Sequence, residues 1–312
     1  MSGRNSEGER PLRHDHRTYR WGLLLLILLA FGLRLHNAEQ FSFWTDEGLT
    51  PLRASYTVSE ILSNHVTIQE GVTNDTHPPF FFLIVHFTRQ IWGETDFAYR
   101  YPALLAGVLL VPLLAAIARR MKDEWLGLVV AGLTAVNPLQ IWYANEARMY
   151  TLAVLLVTAA AYVLWRAIAE PSSRNPVQRL FLYLLLAGMA FYTHYTAAFL
   201  IAAQAVFWVL ILWRQGYKRL LMGTAVLALL IAAPLVPYTV PRFFRGYEAN
   251  FVYVSPWIML QDVVRFFALG RSVDFEATGI ILLSGGAFLL LLVGLWGARG
   301  RWKRPFLLIW LL

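Results

Sequence analysis

Two adjacent carboxylates, Asp46 and Glu47, follow the run Phe41-Ser42-Phe43-Trp44 a few residues beyond a strongly apolar segment. Partial burial there would raise a carboxylate pKa toward that of a useful general base. A solvated acid pair beside an interfacial aromatic belt is the alternative. In Thr76-His77-Pro78-Pro79, two prolines fix the backbone entering a helix and set His77 at its start. A helix N-terminus with a basic side chain makes an anion site, or only a capped turn. Arg100, in Phe97-Ala98-Tyr99-Arg100-Tyr101-Pro102, opens another apolar segment, where it snorkels to the boundary or faces a cavity. The segment from Asn137 to Tyr150 carries Glu146 and Arg148 almost inside apolar sequence, at a depth where ionisable groups face a cavity or each other. A Glu146–Arg148 pair that locks the turn is the second reading. In Phe191-Tyr192-Thr193-His194-Tyr195-Thr196, His194 is a phosphate ligand or a turn cap.

The elements that must position these groups are membrane helices. The chain has 312 residues, 58% apolar and only 15% charged, with a mean hydropathy of +0.51. Soluble domains hold roughly 45–50% apolar and about 25% charged residues, so an ordinary soluble enzyme and a disordered chain are both excluded. There is no cysteine, which excludes a disulfide framework, a thiol nucleophile and a Cys-ligated metal. The polar head, residues 1–18, precedes the apolar run Trp21–Phe31, and no small-x-small cleavage site follows, which reads as an uncleaved signal anchor. Spanning a bilayer takes about 20 mostly apolar residues, and eight segments qualify: 19–37, 100–118, 124–140, 148–168, 179–195, 197–213, 219–240 and 279–298. A ninth begins at Pro305 and reaches only Leu312, about 12 Å of helix against a core of about 30 Å. The chain is therefore expected to be truncated within a helix.

Placing the N-terminus in the cytoplasm puts 18 of the 27 basic residues on the cytoplasmic side, as the positive-inside rule requires. The net charge of +8 is thus a topology signal and needs no nucleic acid to explain it. The same count keeps His77–Gly93 from crossing, so it is expected to lie as an amphipathic helix at the outer face. Outer loops then run over 38–99 and 241–278, the second with a candidate helix at Trp257–Leu269. Every polar cluster named above opens on the outer side. That suits a substrate with a membrane-embedded tail and a polar head. No P-loop, G-x-G-x-x-G or HExxH motif is present, and the acid pairs Glu94/Asp96 and Asp274/Glu276 are weak metal candidates. No cofactor is expected; a divalent metal is conceivable but not indicated.

In order, the Asp-Glu pair, His-Pro-Pro, Phe-Ala-Tyr-Arg-Tyr-Pro-Ala, Tyr-Ala-Asn-Glu-Ala-Arg-Met-Tyr and Tyr-Thr-His-Tyr resemble the integral-membrane GT-C glycosyltransferases. The branch is that of protein mannosyltransferases, aminoarabinose transferases and RgtA/B/C/D-like proteins. The resemblance covers about 19–215 and fades beyond 240. It implies an all-α polytopic membrane protein with about eight or nine transmembrane helices, a helical first extracytoplasmic loop and one transmembrane domain over 19–312. It also implies transfer of a sugar, with inversion, from a polyprenyl-phosphate donor to a lipid, glycan or protein acceptor at the extracytoplasmic face of the plasma membrane.

By the same resemblance, Asp46 is the base or acceptor-orienting acid, with Glu47 its partner. His77 and Arg100 lie by the donor phosphate, where relatives often carry lysine in place of His77. Glu146, Arg148 and Tyr150 belong to the turn that lines the same cavity, and His194 matches a histidine of the bacterial branch. Membrane lipids are the further partners. A flippase for polyprenyl-linked sugars is the alternative; it predicts charges deep within several spans, where this sequence has few.

Overall fold

The computed structural model describes residues 16–36, 38–39, 42–63, 65–68, 71–74, 77–169, 176–214, 216–237, 253–270, 285–286 and 289. The chain is helical, with α1 His16–His36, α2 Thr45–Ala54, α3 Val58–Ser63, α4 Phe80–Trp92, α5 Asp96–Met121 and α6 Glu124–Val136. These are followed by α7 Pro138–Ala144, α8 Tyr150–Ala169, α9 Pro176–Thr193, α10 Ala197–Arg214, α11 Lys218–Ala232 and α12 Pro256–Leu269. One hairpin interrupts them in the first loop, where β1 His65–Ile68 pairs antiparallel with β2 Gly71–Asn74. The loop carries the expected helices, and the hairpin adds to them. The alternation of β-branched and polar residues in His65-Val66-Thr67-Ile68 and Gly71-Val72-Thr73-Asn74 favours strands.

Among the described residues, α1, α5, α8, α10 and α11 with the turn after it are long and apolar enough to cross a membrane. The apolar part of α9, Val177–Thr193, is shorter. The expected span 124–140 is instead broken: α6 and α7 meet at 58°. The break is local chemistry. The Asn137 side chain accepts from Gln140 N at 2.9 Å and so caps a new helix, whose first residue, Pro138, has no N–H to continue the old one. Of the expected span at 279–298 only residues 285, 286 and 289 are described; the one from 305, the head up to residue 15 and all of 238–252 lie outside the described residues.

Close helix approach rests on small residues, as it must where lipid supplies no hydrophobic drive between helices. A Cβ on Gly127 of α6 would stand 3.1 Å from the Ala115 carbonyl of α5, and one on Gly107 would stand 2.8 Å from Ala144 Cβ of α7. The segment expected to lie at the outer face forms α4. It buries Phe81, Phe82 and Val85 against α2 and α5, exposes Phe87, Ile91 and Trp92, and ends at Gly93, whose φ of 78° suits glycine. α12 begins at a Ser255 cap and covers the expected helix.

Candidate active site

α2 presents both acids in its first turn, where the helix dipole favours negative charge. Their surroundings differ. Glu47 is buried, and Arg100, at the start of α5, grips it with Nε to Oε1 and Nη2 to Oε2, each 3.3 Å. The backbone N–H of Ala147 adds a third bond to Oε1 at 2.6 Å. Arg100 also donates to the Ala38 carbonyl at 2.7 Å and packs over the Phe43 ring at 4.7 Å. It does not snorkel; it is 2% exposed. Glu47 and Arg100 together thus tie three remote segments to α2: the end of α1, the start of α5 and the turn after α7. The Asp46 carboxylate, half-buried, takes no hydrogen bond or ion pair among the described residues.

Arg148 lies beside Asp46. It is 2% exposed, donates from Nη1 to the Asp46 carbonyl at 3.0 Å, and contacts His77 Nε2 from Nη2 at 3.2 Å. A guanidinium only donates, so His77 Nε2 accepts in this contact and its ring proton sits on Nδ1. No carboxylate lies within 4 Å of Arg148 among the described residues, and its Nε is buried without a partner. Such a cation is costly to bury unless an anion completes it.

The His77 and His194 rings lie 5.9 Å apart, those of Tyr150 and His194 5.7 Å, and the Arg148 guanidinium 5.8 Å from the Tyr150 ring. His194 Nδ1 accepts from the Thr196 N–H at 3.2 Å and contacts the Thr196 hydroxyl at 2.7 Å, so its proton is on Nε2. Burial, with His77 and Arg148 nearby, pushes its pKa down to about 4. It is therefore a neutral hydrogen-bonding group at physiological pH.

Glu146 and Arg148 do not form the side-chain pair of the second reading. Arg148 turns toward α2, while Glu146 accepts from the Trp142 indole at 2.7 Å; only backbone links them, Arg148 N to Glu146 O at 2.7 Å. A cavity of about 390 Å³ opens between α7, α8 and α10. Gln140, Tyr143, Tyr150 and His194 give it polar edges, and Leu139, Val154, Val157 and Leu200 give it apolar walls. It reaches the charged cluster through Tyr150 and His194.

Two residues of the assembly escaped sequence reasoning. Arg53 of α2 is fully buried, donates to the His77 carbonyl at 3.0 Å and the Ile61 carbonyl at 3.3 Å, and lies 4.1 Å over Phe82. Thr50 donates to the Ala147 carbonyl at 2.7 Å. Both sit on the face of α2 that carries Glu47, at the three- and six-residue spacing of one helix side. That periodicity was the available signal. Among the described residues, no three His, Cys, Asp or Glu side chains gather as a metal site would.

The sequence model of the dolichyl-phosphate-mannose-protein mannosyltransferase family matches residues 76–238, more than half of the chain. The chain belongs to this family. With it the chain belongs to the GT-C membrane glycosyltransferases. The matched stretch holds His77, Arg100, Glu146, Arg148, Tyr150 and His194, whereas Asp46 and Glu47 precede it. The fold is similar to that of the archaeal oligosaccharyltransferase AglB from Archaeoglobus fulgidus, solved in complex with an inhibitory peptide and a dolichol-phosphate. The TM-score is 0.51 at 14% sequence identity, over 95% of this chain and 36% of AglB. The chain thus spans little more than a third of that protein's length. No curated protein matches the sequence.

Proposed function

We propose that this family member transfers a sugar from a polyprenyl-phosphate donor to a hydroxyl acceptor, with inversion at the anomeric carbon. The observation that carries the reading is that a buried guanidinium, Arg148, which no carboxylate within 4 Å neutralises among the described residues, is bonded to the backbone of the residue whose carboxylate is unengaged, Asp46. The acceptor oxygen attacks the anomeric carbon as Asp46 takes its proton. The bond from that carbon to the phosphate oxygen breaks, and the polyprenyl phosphate leaves with the electron pair. Arg148 meets the charge that grows on the leaving oxygen and stabilises the transition state more than the ground state. His194 Nε2–H and the His77 Nδ1–H are neutral donors for the remaining phosphate oxygens. The 390 Å³ cavity, polar at one edge and apolar along its walls, suits the first units of a prenyl chain.

In this reading Glu47 and Arg100 hold the site together and do not touch the reacting atoms. The mechanism needs no metal, since Arg148 supplies the positive charge. The bias of basic residues supports a cytoplasmic N-terminus and an extracytoplasmic site in the plasma membrane.

The test uses the protein in nanodiscs with radiolabelled polyprenyl-phosphate mannose and an envelope extract as acceptor pool, and follows release of polyprenyl phosphate. Release that requires the acceptor pool supports the transferase. Donor binding without release, for mannose and for other donor sugars alike, would replace it with lipid-carrier transport.

A further inference from the structure

Arg34, near the end of α1, is fully buried, and no carboxylate lies within 4 Å of it among the described residues. Its Nη1 donates to the Ala30 carbonyl of its own helix and to the Ala135 carbonyl of α6, both at 3.1 Å. Its Nη2 donates to the Thr134 carbonyl at 3.3 Å.

The two α6 carbonyls are among those that the break at Asn137 orphans. In a continuous helix the Thr134 carbonyl accepts from the N–H of residue 138, which is proline and has none. The Ala135 carbonyl accepts from residue 139, which here belongs to the first turn of α7 across a 58° bend. Orphaned carbonyls within an apolar layer must find another donor, and a cation at a helix C-terminus also answers the dipole.

We infer that Arg34 is a positioning residue for the transfer reaction. Its guanidinium replaces the donors that Pro138 removes, holds the α6–α7 bend, and so fixes the 145–148 turn against α2. That turn supplies the Ala147 N–H to Glu47, the Ala147 carbonyl to Thr50 and the Arg148 side chain to the Asp46 carbonyl. The junction has no slack. A Cβ on Gly107 would stand 3.0 Å from Arg34 Nε and 2.8 Å from Ala144 Cβ, so α1, α5 and α7 meet there in contact. The role in transfer rests on the function proposed above; the role in holding the bend does not.

The experiment compares wild type, Arg34→Met, Arg34→Lys, Pro138→Ala and the double variant Arg34→Met/Pro138→Ala, each as the full chain in nanodiscs. Hydrogen–deuterium exchange over 138–149 is read against α8 and α9, beside thermal stability and steady-state transfer from polyprenyl-phosphate mannose. Arg34→Met is expected to speed exchange in the turn about tenfold without speeding it in α8 and α9, since the effect is local. Its kcat falls about 10–100-fold, the cost of a small misplacement, with donor KM within about twofold. Arg34→Lys falls between. Pro138→Ala alone stays near wild type because Arg34 still holds the bend. In the double variant the N–H of residue 138 returns to the Thr134 carbonyl, so stability recovers while the helix straightens and kcat stays low.

Exchange that rises uniformly or not at all in Arg34→Met would overturn the inference, as would a double variant that regains turnover together with stability. If Arg34→Met does not accumulate in membranes, Arg34→Lys against Arg34→Lys/Pro138→Ala carries the same comparison. A wild type that turns over no donor would sink the proposed function and leave the exchange measurement to decide the role of Arg34.

Discussion

The two sides of the helical bundle are held by different forces. On the side of α1, α2, α5 and the α7–α8 turn, four guanidiniums, those of Arg34, Arg53, Arg100 and Arg148, are buried and spend their donors mainly on backbone carbonyls of other elements. On the side of α9, α10 and α11, contacts are mainly apolar, with few polar ones such as Arg179 to the Arg166 carbonyl and Tyr192 to the Ile231 carbonyl; Tyr183 and Trp208 pack together, and among the described residues their hydroxyl and indole N–H have no partner. There a cavity of about 410 Å³ is walled by small residues such as Ala187, Gly188, Ala202 and Ala228. Buried hydrogen-bonded charge is a poor source of net stability but fixes direction and distance. Apolar packing tolerates rearrangement. The proposed chemistry sits on the side where geometry is fixed.

That contrast can be broken from either side. Arg148→Met should lower turnover by about 10²–10³-fold, with stability within about 1 kcal/mol of wild type because an uncompensated buried cation is removed. Paired release assays and thermal melts would check both halves of this statement. Glu47→Ala should destabilise by about 3–5 kcal/mol, since it leaves Arg100 buried without its carboxylate. Asp46→Asn should change stability by less than about 0.5 kcal/mol, as nothing in the described structure holds that carboxylate.

His194 gives a smaller, pH-dependent signal. Its pKa is about 4 in the folded protein against an ordinary value of 6.5. Between these values the unfolded chain binds more protons, so its contribution is complete above 6.5 and is lost as pH falls toward 4. Melts from pH 7 to 4 should show this decline, and His194→Gln should flatten it. On the apolar side, Tyr183→Phe should leave the melting temperature unchanged or slightly higher, because it deletes a buried hydroxyl with no partner among the described residues.

Much of the architecture was readable from periodicity and charge. The apolar runs placed the helices that span, the shift of arginines to one side set their expected direction, and the short motifs around Asp46, His77, Arg100 and Arg148 named groups that the fold does bring near one another. The bend between α6 and α7 was less visible. Asn137-Pro138 reads equally as a turn after a finished span, and only the donors supplied by Arg34 from another helix let it fall within one. Adjacent residues also look alike in a sequence: nothing in Asp46-Glu47 says which acid Arg100 will take, because that depends on the register of α5 and of the turn at Ala147 across about 50 and 100 residues of chain. The hairpin at 65–74 was missed because its two strands are only four residues long.

In the proposed reaction Asp46 is the base and Glu47 a structural anchor. The most direct test is single-turnover transfer from polyprenyl-phosphate mannose by Asp46→Asn, with donor binding measured on the same sample. Donor affinity within about twofold of wild type and a chemical step slowed by at least about 10³-fold are predicted. Transfer at a rate near that of wild type would exclude Asp46 as the base and move that role to another group.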